Sequence, residues 1–168
     1  SYPHFVVIDK RDKNQLFISD YFNSAVRNVT VNSRVVGTFV KTDSLFKIRG
    51  ITQEEKSGDL YVIAYHALYR ITYIQRTVSL ISGSPGSNYG YRDSTLLDSL
   101  FKKPYELILI KPNTLLIADV WNSKLRLVHM NSDKVTTLSV TNSLDRPASL
   151  LLTNNSLYVG QLKKIIQC

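Results

Sequence analysis

Apolar residues along this chain fall in short runs divided by polar turns, and the runs repeat. The clearest copies are Leu16-Phe17-Ile18-Ser19-Asp20-Tyr21-Phe22-Asn23-Ser24-Ala25-Val26-Arg27 and Leu115-Leu116-Ile117-Ala118-Asp119-Val120-Trp121-Asn122-Ser123-Lys124-Leu125-Arg126. Aligning on the Asp brings Asp20, Ala64, Asp119 and Gln161 into register. Pro3, Pro104 and Pro147 each precede an apolar run: Phe5-Val6-Val7-Ile8, Leu107-Ile108-Leu109-Ile110 and Leu150-Leu151-Leu152. Lys47 takes the proline's place before Ile48-Arg49-Gly50-Ile51. Two markers in one register, with a period of roughly 40 to 50 residues of short strands, indicate a propeller or solenoid.

Each unit holds four strand-like pieces. The apolar run after the proline does not alternate, which predicts burial on both faces. The second pieces are residues 16–19, 60–63, 115–118 and 157–160; the third are 25–30, 68–73 and 124–130; the fourth are 35–40, 78–82 and 135–140. Polar doublets such as Asn32-Ser33 and Asn131-Ser132 supply the hairpin turns. Four antiparallel strands per unit make a propeller blade. The expected fold is therefore all-β, a β-propeller of four-stranded antiparallel blades. About three and a half blades are present, with units near 3–46, 47–103, 104–146 and a partial 147–168. Asp20 and Asp119 are expected to fasten the second turn with Asn23-Ser24 and Asn122-Ser123, because short polar side chains bond nearby amides. The second copy reads Ala64-Tyr65-His66-Ala67, lacks the Asp, and must be held differently.

The motif Asp-x-x-Asn-Ser-x-Val/Leu-Arg after an Ile-centred strand resembles the NHL-repeat β-propellers. The connection from Ile81 through Gly83, Gly86, Gly90 and Asp93 to Leu100-Phe101 and Pro104 is similar to that family's link between blades. The resemblance runs from Pro3 to about Gln161, and it implies a module that binds through a broad loop face. It also implies a ring of five or more blades, so the chain is expected to belong to a longer propeller or to be completed by another chain. The glycines of the link fit neither a P-loop nor a dinucleotide fingerprint, since no Gly-Lys-Ser/Thr follows.

Composition narrows the function without naming it. The hydrophobic share of 43% and charged share of 20% are those of a globular protein. No apolar run is long enough to span a bilayer. The net charge of +8 permits an acidic partner. His4, His66 and His129 fall at different places in their units, so no axial metal site, cofactor or catalytic constellation is expected, and the chain is read as not an enzyme. Cys168 is a candidate interchain bridge, and the sequons at Asn28 and Asn154 are candidate glycosylation sites, which point to a secreted glycoprotein; a cytoplasmic location is the alternative.

The leading reading is a non-catalytic structural or protein-interaction propeller in a larger, extracellular assembly. Tyr65, Tyr89, Tyr91, Arg92, Trp121 and Arg70 are its candidate contact residues, because Tyr, Trp and Arg dominate interface hot spots. The first alternative is single-stranded RNA binding on a basic face. Arg27, Arg70 and Arg126 would recur on the third strand, with Arg49, Lys102-Lys103 and Lys163-Lys164 adding charge and Tyr21, Phe22 and other turn aromatics offering stacking surfaces. The second alternative is a fragment of a propeller lyase or hydrolase whose site lies on other blades.

Overall fold

The computed structural model describes residues 2–154, 156–161 and 165–167. Blade 1 comprises β1 (Pro3–Ile8), β2 (Gln15–Asp20), β3 (Ala25–Thr30) and β4 (Val35–Lys41). Blade 2 comprises β5 (Ile48–Gln53), β6 (Leu60–Ala64), β7 (Ala67–Ile71) and β8 (Val78–Gly83). Blade 3 comprises β9 (Leu107–Lys111), β10 (Thr114–Asp119), β11 (Lys124–His129) and β12 (Lys134–Leu138). Blade 4 comprises β13 (Pro147–Leu152), β14 (Leu157–Gln161) and β15 (Ile165–Gln167), one strand more than the half blade expected. Within each sheet the spatial order follows the chain, and every neighbouring pair is antiparallel. The first strands β1, β5, β9 and β13 pack in series around the inside. This is a β-propeller.

Packing between blades supplies the core. Phe17, Val26 and Phe39 of blade 1 meet Ile51, Val62 and Tyr69 of blade 2. Ile63 and Leu68 of blade 2 meet Leu107, Leu115 and Val128 of blade 3 around Phe101 from the connection. Leu116 and Leu125 of blade 3 meet Leu150 and Val159 of blade 4. Each fully buried Leu, Ile or Phe contributes roughly 1.5–3 kcal/mol. Among the described residues no buried cluster joins blade 4 back to blade 1.

That opening corrects one expectation. The run at the start of blade 1 is not buried on both faces: Val7 pairs with Phe17 on the packed side, while Val6 and Ile8 point the other way and are 58% and 61% exposed. Non-alternating apolar sequence means two buried faces only when a blade lies on either side, and blade 1 has a neighbour on one side. Leu151 and Ile165 of blade 4 are exposed at the other free face.

The register also corrects a second marker. Pro3 pairs with Asp20 and Pro147 with Gln161, but the partner of Ala64 is Ile48. Ile48, not Lys47, therefore takes the proline's place. Charge and shape at the strand start misled the alignment by one residue.

The turn aspartates do more than fasten their own loops. Asp20 accepts from Asn23 Nδ2 at 2.9 Å and from Arg27 Nε at 3.0 Å. Asp119 accepts from Asn122 Nδ2 at 2.8 Å, from Arg126 Nη1 at 2.9 Å and from the Lys102 amide at 2.8 Å. Burial pushes the Asp119 carboxyl up, and Asn122, the Lys102 amide and Arg126 pull it back. Arg126 itself is 0% exposed and also donates to Asp93 Oδ1 and to the carbonyls of Leu100 and Arg92. This clamp ties the long connection to blade 3.

Candidate interaction face

The start of each inner strand, the turn between second and third strands, and the link from the preceding blade all meet at one end of the propeller. Antiparallel pairing dictates this, since the first residue of β1 lies opposite the last residue of β2. Single turns of 3-10 helix at Tyr21–Asn23 and Val120–Asn122 shape that end. Each closes on a serine with positive φ, Ser24 and Ser123, and blade 2 reaches the same bend with Tyr65 at φ 54°. A left-handed tyrosine costs roughly 1–2 kcal/mol. The residues that begin the blades repeat a second bend: Lys47, Lys103 and Arg146 all have positive φ immediately before Ile48, Pro104 and Pro147. The repeat thus presents three cations at equivalent places.

The aromatic rings with the largest exposure gather at the same end: Tyr2, Phe22, Phe46, Tyr89, Tyr91 and Trp121. Most carry a cation over the ring. Lys103 Nζ lies 4.0 Å from the Trp121 ring, Lys47 Nζ 4.9 Å from Phe46, and Lys102 Nζ 5.9 Å from Tyr89. Lys124 Nζ lies 5.5 Å from Tyr91. Such pairs contribute ~0.5–1 kcal/mol each where exposed, and they hold the rings upright without an acidic partner.

Five of the six contact candidates are on or beside this face. Trp121 is 54% exposed. Tyr89 stacks on His66 with ring centroids 4.4 Å apart, and Tyr65 lies 3.9 Å from the same imidazole. The Tyr91 hydroxyl is 3.0 Å from Thr137 Oγ1. Arg92 is exposed, and its backbone bridges Leu100. Arg70 is elsewhere. It pairs with Tyr61, whereas Arg27 and Arg126 pair with Ile18 and Ile117, so it is one residue out of their register and on the other side of its sheet. Its Nε donates to Asp59 at 2.7 Å, far along the blade from the face. The proposed recurrence of arginines on the third strand therefore ends at two members.

Asn28 is half-buried in β3, with its carboxamide against Gly37, while Asn154 is exposed in a turn. Cys168 and Lys163-Lys164 lie outside the described residues. Among the described residues no group of three His, Cys, Asp or Glu side chains is placed to hold a metal ion.

At the axial side of the face the register reveals residues that the sequence reading left apart. Val6, Ile51, Leu107 and Leu150 sit opposite Ile18, Val62, Ile117 and Val159. Two positions earlier in each inner strand come His4, Arg49, Tyr105 and Ala148. His4 and Tyr105 belong to blades separated by blade 2, yet their rings are 5.6 Å apart, which places them across the axis. The Arg49 guanidinium lies 5.3 Å from the Tyr21 ring and 5.6 Å from that of Tyr105. Aligning on Ile48 instead of Lys47 would have exposed this set in the sequence.

His66 stands in the turn that lacks the aspartate and ties it forward to the next link. Its Nδ1 accepts from the Lys103 amide at 2.9 Å, while Asp119 of blade 3 accepts from the neighbouring Lys102 amide, so the link is held from both blades. Burial, then the charges of Arg49, Lys103, Lys102 and Lys47, push its pKa down to about 4. Burial and Arg49 lower His4 in the same direction.

No protein-family model matches the chain, and no curated protein matches it. Solved structures do. A protein of unknown function from Bacteroides thetaiotaomicron superposes with a TM-score of 0.79 at 13% identity, over 93% of this chain and 44% of that one. The nidogen/laminin complex gives 0.74 at 14%, over 98% and 58%. The virginiamycin B lyase of Staphylococcus aureus gives 0.71 at 16%, over 99% and 51%. The likeness shows the fold. The chain spans about half the length of these structures. Among the described residues no helix is long and apolar enough to cross a membrane.

Proposed function

We propose that the protein is a non-catalytic propeller that binds a protein partner through the aromatic and cationic end of its blades, in the manner of an NHL-like repeat module. The observation that carries this reading is the concentration of exposed rings, four of the six with a lysine over the ring, on one end of a rigid scaffold. Large rings held in place lose little entropy on contact, which is why such residues anchor interfaces. The free apolar faces of blades 1 and 4 fit further blades or a second chain completing the ring, since exposed sheet faces and edges invite pairing. Extracellular, glycosylated material with Asn154 occupied is the form we expect, and the structural likeness to the nidogen/laminin complex is compatible with it.

Quantitative affinity purification from the native source tests the reading. The wild-type protein and Arg70→Ala should retain the same partner, and Trp121→Ser with Tyr89→Ser should lose it. Retention by the double variant would refute it. Single-stranded RNA is the second reading, favoured by the lysine–aromatic pairs. It requires affinity for RNA that falls steeply with salt in filter binding.

A further inference from the structure

Two arginines of this protein are buried, and they are treated in opposite ways. Arg126 is saturated by Asp93, Asp119 and two carbonyls. Arg49 is 8% exposed, and its Nε and Nη1 have no hydrogen-bond partner among the described residues. Among the described residues its side chain makes one hydrogen bond, Nη2 donating to the Tyr21 hydroxyl at 3.3 Å. No carboxylate is paired with it among the described residues. His66 adds another orphan. It is 1% exposed, its Nδ1 is an acceptor, so Nε2 carries the proton, and Nε2 has no partner among the described residues. The two are close in the fold: Ala64, just before Tyr65 and His66, pairs with Ile48, the neighbour of Arg49.

Buried donors without acceptors are rare in folded proteins, and each calls for an explanation such as an absent ion. An unpaired buried guanidinium costs more than a neutral orphan, because the whole desolvation penalty stands uncompensated. Tyr21 and Tyr105 offer it π faces, which relieve the charge but accept no N–H in the plane of the guanidinium. The field around the cluster has one sign, since Lys47, Lys102 and Lys103 act on His66 along with Arg49. A neutral acceptor such as a backbone carbonyl would fill the hydrogen bonds and leave the charge. An oxyanion answers both.

The geometry points to an acidic side chain of the protein partner as the missing acceptor: an Asp or Glu carboxylate that pairs with Arg49 and takes a further hydrogen bond from His66. This rests on the reading of the face as a protein-binding surface and names the chemistry it selects. A monoanion balances the one charge in direct contact, because His66 stays neutral at pH 7. The planar guanidinium fork pairs a carboxylate bidentately, which adds a geometric match to the match of charge.

The test uses the full chain, a fluorescein-labelled hexaglutamate peptide, and anisotropy titration alongside thermal unfolding. The peptide should bind the wild type at least tenfold more tightly than hexaglutamine. Arg49→Met should lose at least tenfold in affinity while its Tm stays level or rises, because an apolar side chain of similar length removes an unpaired buried charge. A fall in Tm for Arg49→Met would overturn the proposal, making Arg49 a structural clamp between two rings. Undiminished binding by Arg49→Met would overturn it too; loss by Trp121→Ala in the same assay would then leave the interaction face standing without this seat. Failure of the peptide to bind the wild type refutes the seat, whereas the purification from native source judges the face independently. Inorganic phosphate or oligouridylate displacing the peptide at lower concentration than acetate would overturn the choice of carboxylate.

Discussion

Acidification loads the buried His66 with a proton whose charge nothing nearby balances. Its folded pKa lies near 4 and its ordinary value at 6.5, so the unfolded chain binds the proton more readily across that window. Stability is complete above 6.5 and is lost as the pH falls, which is the sign required when the unfolded state takes up more protons. At 1.36 kcal/mol per unit, the loss from pH 7.5 to 5 is about 2 kcal/mol, and about 3 kcal/mol by pH 4. The groups responsible are Arg49, Lys47, Lys102 and Lys103 together with burial of the ring. Asp119 runs the other way: burial raises its carboxyl to about 6, so its protonation in the folded state adds stability over the same range and offsets part of the loss. Urea unfolding at a series of pH values, compared between the wild type and His66→Gln, isolates the histidine. His66→Gln keeps an acceptor for the Lys103 amide and removes the titration, so relative to this variant the wild type should lose about 2 kcal/mol between pH 7.5 and 5. Parallel profiles for the two proteins from pH 7.5 to 5 would refute the reasoning.

Arg126→Met strands Asp119 and Asp93, and should cost about 3–5 kcal/mol in denaturant melts at pH 7, with a smaller loss at pH 5, where Asp119 takes a proton. Gly83→Ala sets a Cβ 2.6 Å from the His66 carbonyl oxygen at a φ of 82°, and should cost about 1–3 kcal/mol by the same assay. Val6→Asp with Leu151→Asp should reduce self-association seen by light scattering while the thermal transition shifts little, since both side chains are exposed on free faces.

The blade pattern was legible because it is periodic. Strands 25–30 and 35–40 were placed within a residue of β3 and β4, since turn doublets and apolar runs bound them on both sides. The third strand of blade 4 was missed: Ile165-Ile166-Gln167 is too short to show a period. Solvent on the outward side of Val6 and Ile8 was also invisible, because exposure there depends on a neighbour and not on the residues. The aromatic part of the face was anticipated at Tyr65, Tyr89, Tyr91 and Trp121, which lie in turns that the repeat brings to one end. Arg70 was misjudged because one residue of register reverses the side of a strand. Arg49, His4 and Tyr105 stand far apart in sequence and meet only when the starts of three successive blades are superposed.

Site-directed photo-cross-linking tests the central claim most directly. A benzophenone amino acid placed at Trp121 on the interaction face should form a discrete protein adduct in native extract, competed away by unmodified protein. The same probe at Lys111, at the opposite end of β9, should form none. Adducts from position 111 alone, or from neither position, would contradict the account.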